Sequence, residues 1–157
     1  MPYRCLINDQ KKTIILIDGI YIVRFDGICM YSYFVDKNNI KTIPDLMAPF
    51  FNALMMFSQT EMDGILKEMI FEDKSGDEKV IHFQEFKDTR SVEKEKYCIV
   101  LIFSKKRRLV DIKGKVIELK WLLEKKNVAR FFKGRELPSQ HEINEIDQQI
   151  KLLFNMD

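Results

Sequence analysis

Early in the chain the apolar positions fall into two short runs, IYIVRF at 20–25 and ICMYSYF at 28–34, interrupted by Asp26 and Gly27. Both runs are rich in β-branched and aromatic residues, which pack well on a pleated surface, so each predicts a strand. An Asp-Gly pair supplies the positive φ that tight hairpin turns require, and the two strands are therefore expected to form a hairpin. A second pair, Asp18-Gly19, follows the run TIILI at 13–17. Taken literally it makes a third strand and a meander. From Asp45 to about Met62 the period becomes helical: Leu46, Phe50, Leu54 and Phe57 recur at i, i+4, i+8 and i+11. Asp45 is the expected N-cap, since its carboxylate can accept from first-turn amides that lack partners, and Pro49 then removes only the first intrahelical bond.

The pattern changes again after Gly64. LKEMIFED and EKVIHFQEF read as two strands carrying many charges, with DKSGDE as the loop between them, and such strands suit a sheet edge or a half-solvated face. YCIVLIF at 97–103 is apolar throughout, as befits a central strand covered on both sides. Ile112, Val116, Leu119 and Leu123 then make a second helical stripe, crossed only by Gly114. A last amphipathic segment runs from Ser139 to Phe154 with Ile143, Ile146, Ile150 and Phe154 on one face, and Ser139 with Glu142 forms a capping box at its start. The order β-β-α-β-β-β-α-α defines an α+β domain built on one antiparallel sheet. Residues 1–18 read as an N-terminal arm or strand extension and residues 19–157 as a single domain.

Composition agrees with a folded chain. At 157 residues, 46% hydrophobic and 32% charged, it can bury one sizeable core. The longest apolar runs are far short of the ~20 residues that span a membrane, and the N-terminus lacks the order of a signal peptide, so a cytosolic protein is expected. Cys5, Cys29 and Cys98 are odd in number and scattered, which suits reduced core thiols.

Motifs that build a catalytic or cofactor site are missing. The chain has no glycine-rich phosphate loop, no HExxH and no GxSxG. Its two histidines, His82 and His141, lie on different elements at no zinc-like spacing from a cysteine, and both are expected at the surface. A non-enzymatic protein without cofactor or metal is the resulting expectation.

Two surfaces invite a functional reading. On the first helix a second apolar stripe, Met47, Phe51, Met55 and Met62, lies about 110° round from the first at ~100° per residue. Two stripes imply burial on two sides, and methionine-rich surfaces suit adaptable protein contacts, so this second stripe is the expected partner face. Cover from the same chain, by residues 1–17 or the last helices, is the alternative. The other surface is basic. Residues 105–135 hold 12 basic and 3 acidic side chains, a local +9 in a chain of net +2. Lys105, Lys106, Arg107, Arg108, Lys113 and Lys115 lead this block. Gatekeeping beside an apolar strand suffices to explain it, and an anionic membrane surface or an acidic partner is the functional alternative. Nucleic acid is disfavoured because no platform of stacking aromatics is interleaved with the cations.

The hairpin IYIVRFDGICMYSYF, the helix IPDLMAPFFNALMMFSQTEM with its Phe57-Ser58 pair, and the later strands ILKEMIFED and YCIVLIFSKKRRLV together resemble the longin domains and their relatives in the roadblock group, particularly short stand-alone archaeal members. Because the chain opens with strands where roadblock domains open with a helix, the resemblance favours the longin arrangement. It implies a five-stranded antiparallel sheet with a long helix on one face and further helices on the other. It also implies a dimerising interaction module that binds or regulates a small GTPase, or serves a membrane-trafficking complex, with a second longin or roadblock chain as the other candidate partner. Within that arrangement IYIVRF is flanked by ICMYSYF and YCIVLIF, and a strand has only two edges. TIILI then has nowhere to pair, so Asp26-Gly27 is expected to be a true turn and Asp18-Gly19 a bend or bulge. A sensory domain of related profilin-like or PAS-like architecture is a competing reading, with a small ligand in a cavity lined by Phe50, Leu54, Tyr31 or Phe103.

Overall fold

The structure, a computed structural model, describes residues 17–34, 44–87, 96–105, 109–124 and 139–154. Five strands and three helices follow in the expected order: β1 (Gly19–Arg24), β2 (Cys29–Phe34), α1 (Pro44–Glu61), β3 (Glu68–Glu72), β4 (Glu78–Lys87), β5 (Lys96–Ser104), α2 (Leu109–Leu122) and α3 (Gln140–Leu153). The strands make one antiparallel sheet in the order β2-β1-β5-β4-β3. The apolar β5 is central, and the charge-bearing β3 lies at an edge. Helix α1 covers one face of the sheet, while α2 and α3 cover the other.

The two Asp-Gly pairs part company as the two-edge argument requires. β1 is paired along its length with β2 on one side, Ile20 opposite Tyr33, and with β5 on the other, Ile20 opposite Leu101. The Asp18 N–H donates to the Ile102 carbonyl at 2.7 Å, so the chain enters β1 as a continuation of its β5 ladder. Residues 13–16 of the TIILI run lie outside the described residues. Asp18 does not turn the chain but accepts a 2.8 Å contact from Lys79 of β4, reached across the end of β5. Gly19 is needed for space: a Cβ there would sit 2.5 Å from the Phe34 ring.

Asp26-Gly27 does turn the chain, but not with two positive φ angles. Only Gly27 has one, +89°. The Arg24 N–H donates to Ile28 O and the Gly27 N–H donates to Arg24 O, both at 2.9 Å, which is a three-residue loop with its glycine in the left-handed region. The β3–β4 hairpin repeats the design. There the Asp73 N–H donates to Asp77 O at 2.9 Å, the Gly76 N–H donates to Asp73 O at 3.0 Å, and Gly76 has φ +85°. In both loops a carboxylate helps close the turn. Asp73 Oδ1 accepts from the Ser75 and Asp77 amides. Asp26 takes both oxygens to the guanidinium of the nearly buried Arg24, and hydrogen bonding from that guanidinium holds its carboxyl below the usual carboxylate range.

One irregularity sets the inner face of β2. Ile22 faces Tyr31 and Val23 faces Cys29, so Met30 is an extra residue on β2. The bulge lets Met30 and Tyr31, neighbours in sequence, both pack into the core under α2 and α3. Tyr31 then donates its hydroxyl to Asp147 of α3 at 2.6 Å. Burial, and then this carboxylate, push the phenol well above its ordinary pKa.

Helices α2 and α3 use the faces their periodicity predicts. Ile112, Val116, Leu119 and Leu123 are buried, as are Ile146, Ile150 and Phe154, with Ile143 packed at the margin. Ser139 is the N-cap of α3, accepting from the Glu142 N–H at 3.3 Å and donating to its carboxylate at 3.1 Å. Helix α1 begins at Pro44, so Asp45 is inside its first turn and is not its cap. Cys98 is buried on the α1 face and Cys29 is half-buried, as expected of packing thiols, and burial raises the Cys98 pKa. Cys5 lies outside the described residues.

Candidate interaction surface

Both apolar stripes of α1 exist, but they exchange roles. The stripe expected to meet a partner, Met47, Phe51 and Met55, faces the sheet of its own chain, and Phe51 is 0% exposed. These three residues are spent on the intramolecular core, and Met62, past the helix end, is the one member of the set that stays exposed. The reason is fit. The Phe51 ring enters between Tyr21 and Phe83 with edge-on contacts at 5.3 and 5.9 Å, and Tyr21 in turn meets Phe34 edge-on at 5.1 Å. Ala48, on the same side, lets the helix come close. The approach is tight at its beginning as well, since a Cβ on Gly27 would lie 3.3 Å from Pro49 Cα. At the far end the Gln59 side-chain amide donates to Glu85 of β4 at 3.0 Å.

Turning that stripe inward leaves the other one outside. Phe50 and Phe57, two helical turns apart, are 52% and 57% exposed, and Met56 is half exposed nearby. Leu54 sits at the margin, half-buried. On the same side of the sheet Phe71, from the edge strand β3, is also exposed. The outer edge of β3 meets no other strand among the described residues, so its peptide groups are open to pairing. Scattered exposed apolar residues are ordinary, but a pair of phenylalanines on one helix face is a concentrated apolar surface.

The remaining sequence candidates separate. Lys105 pairs with Glu78 at 2.8 Å and Lys113 lies 3.6 Å from Glu68, while Lys115 is half-buried. Lys106, Arg107 and Arg108 fall outside the described residues. His141 is exposed and sits 3.0 Å from Glu145, as a surface histidine should. His82 is not at the surface. It faces the α2 side of β4, nearly buried, with Nδ1 3.3 Å from Glu68 Oε1. Burial lowers its pKa, and Glu68 only partly opposes this. Sequence reasoning placed it outward because β4 carries many charges, yet β4 is an inner strand.

The four residues expected around a ligand cavity do not share one. Tyr31 and Phe103 belong to the core beneath α2 and α3, whereas Phe50 is exposed on the opposite side of the sheet. Trp121 of α2 is half exposed. Among the described residues no helix is long and apolar enough to cross a membrane.

Five antiparallel strands with one helix on one face and two on the other are the arrangement that the resemblance to longin domains implies. The sequence matches no protein-family model and no curated protein. Solved structures similar to this chain are MglB proteins and a Roadblock/LC7 domain. MglB of Myxococcus xanthus is 11% identical over 65% of this chain and 76% of its own, with a TM-score of 0.43. The gliding protein MglB of Thermus thermophilus is 14% identical over 73% and 84%, with a TM-score of 0.46. A Roadblock/LC7 domain of Streptomyces avermitilis is 11% identical over 69% and 82%, with a TM-score of 0.45.

Proposed function

We propose that this chain is a non-enzymatic interaction module that pairs with a second copy of itself through the outer face of α1 and the β3 edge, and that the pair regulates a small GTPase. The observation that carries the pairing is the outward phenylalanine stripe of α1, Phe50 and Phe57, on the same side of the sheet as Phe71. A symmetric contact suits such a surface, because a patch on one face of a helix can meet its own copy about a twofold axis. Buried in that way the stripe would occupy the centre of an interface of ordinary size, roughly 800 Å² per partner. The GTPase part rests on the resemblance of the hairpin-to-helix segment to longin and roadblock sequences.

Light scattering on the purified chain tests the pairing. A dimer that Phe50→Asp together with Phe57→Asp turns into a folded monomer supports it, and a strict monomer at high concentration overturns it. The regulatory part is tested by retention of small GTPases from the same cell, loaded with GDP or with a non-hydrolysable GTP analogue, and by their hydrolysis rates. No retention and no change in rate would sink it.

A further inference from the structure

On the other side of the sheet, away from α1, a groove of about 600 Å³ runs between α2 and the end of β4. Pockets that hold small ligands span roughly 300–1,000 Å³, so this one is of the right size for a single organic molecule and too small to seat a folded partner. Its interior is apolar. Phe86, buried on β4, lies at the bottom, and Ile65 and Ile117 flank it while remaining 64% and 62% exposed. Two isoleucines left to water around one concavity are surface the fold itself does not use.

The rim is cationic. Lys67, Lys87, Lys113 and Lys120 line it, against Glu85 and Glu124, while Lys96 also borders it with its ammonium 5.9 Å from the Phe25 ring. Glu85 is engaged elsewhere, since its carboxylate accepts from Gln59 of α1. Lys120 and Glu124 are 4.0 Å apart and Lys113 and Glu68 3.6 Å, both at the long end for ion pairs. The side-chain ammonium groups of Lys67 and Lys87 make no ion pair or hydrogen bond among the described residues. A concavity lined by an excess of one sign of charge focuses its field and concentrates counter-ions. Two lysines of the basic block, Lys113 and Lys120, thus acquire neighbours that the linear sequence does not reveal. His82 also lines the groove.

We propose that this groove binds a small organic anion with an apolar body, its carboxylate or phosphate held by the lysine rim and its hydrocarbon or aromatic part laid over Phe86 and Ile117. A bare inorganic anion would leave the isoleucines wet, and a neutral apolar molecule would leave the lysines unmatched. Only an amphipathic anion satisfies both halves. The site is on the opposite side of the sheet from the Phe50 and Phe57 stripe, so its occupancy does not depend on pairing through α1.

Calorimetric titration of the full chain with decanoate, decyl phosphate, decanol and inorganic phosphate tests this, and the first two probes distinguish the acid that the rim prefers. At least one amphipathic anion should bind saturably, with affinity falling as salt rises. Decanol and inorganic phosphate should each bind at least about tenfold more weakly, the scale of losing one charge-assisted contact or a few buried methylenes. Lys87→Glu and Ile117→Asp, both exposed positions that leave the core intact, should each weaken the anion by a similar factor, whereas Phe57→Asp should leave it unchanged. Absence of saturable binding by either amphipathic anion overturns the proposal. So does equal binding of decanol, of inorganic phosphate, or by the Ile117→Asp chain.

Discussion

The two faces of the sheet are built from alternate residues of the same strands, yet they are closed very differently. Ile20 and Ile22 point to one side and Tyr21 and Val23 to the other. The first side receives two helices, whose buried stripes, Ile112 to Leu123 and Ile146 to Phe154, close over a core that also holds the stacked rings of Phe86 and Tyr97. The second receives one helix and a core built around aromatic edges, Tyr21 against Phe34 and Phe51. A helix alone on a face still has an outer side, and α1 spends apolar residues there. A second helix would have hidden them. The contrast is one of degree: α2 and α3 leave Ile117, Trp121 and Leu152 at the surface, whereas α1 leaves Phe50, Met56 and Phe57 outside along a helix with no neighbour over it among the described residues.

The strongest way to break this comparison is to show that the α1 face is not a true core. Phe51→Ala should destabilise the fold by about 3–5 kcal/mol, as for a buried aromatic deletion, and Leu119→Ala on the opposite face by about 2–5 kcal/mol, both measured by denaturant unfolding. If Phe51→Ala costs no more than an exposed change, the helix is only loosely laid on the sheet. Backbone fit comes next. Gly27→Ala meets a positive φ and the nearby Pro49, and should cost about 1–2 kcal/mol. Gly19→Ala drives a methyl into the Phe34 ring on the α1 side, and a loss of about 1–3 kcal/mol is expected.

Smaller effects sharpen the contrast from the two-helix side. Tyr31→Phe removes the hydroxyl that ties β2 to α3 through Asp147 and should cost about 1 kcal/mol, because Asp147 keeps Lys151 as a partner at 3.0 Å. His82 adds a pH signature. Its folded pKa lies below its unfolded value of about 6.5, so the unfolded chain binds the proton more readily. Above that pH the residue has no effect on the pH dependence; as pH falls through 6.5 toward the folded pKa, stability is lost. Unfolding midpoints at pH 7.5 and 5.5 should therefore differ less for His82→Gln than for the wild type, once the shared carboxylate contribution is subtracted. Smallest of all, Phe57→Asp should change the unfolding free energy of the isolated monomer by no more than about 0.5 kcal/mol, as at any exposed site. A larger loss would mean that the outer stripe is already covered.

Much of this was legible from local pattern. Single-stripe helices have only one way to face a sheet, so Ile112 to Leu123 and Ile143 to Phe154 could be placed before any contact was known. The place of Asp18-Gly19 followed from counting the edges of one strand. What could not be read was any choice settled by a distant neighbour. The two stripes of α1 are equally apolar, and the inward one is selected by a space between Tyr21 and Phe83, residues far from α1 and from each other in the chain. His82 was misplaced because its burial depends on α2, some thirty residues later. The groove gathers lysines from β4, β5, α2 and the approach to β3, a set with no linear signature.

The position of β5 has a consequence for how the molecule comes into being. The two hairpins close through three-residue loops and need only their own residues, whereas β5 joins them by pairing Gly19 with Ile102 on one flank and Lys87 with Lys96 on the other. During synthesis the inner edge of the first hairpin therefore has no partner until β5 has been made, and the β1–β5 ladder closes a far longer loop than either hairpin does. A nascent chain stopped before Lys96 would hold two hairpins with no strand between them, and that is the stage at which this protein is most exposed to wrong partners.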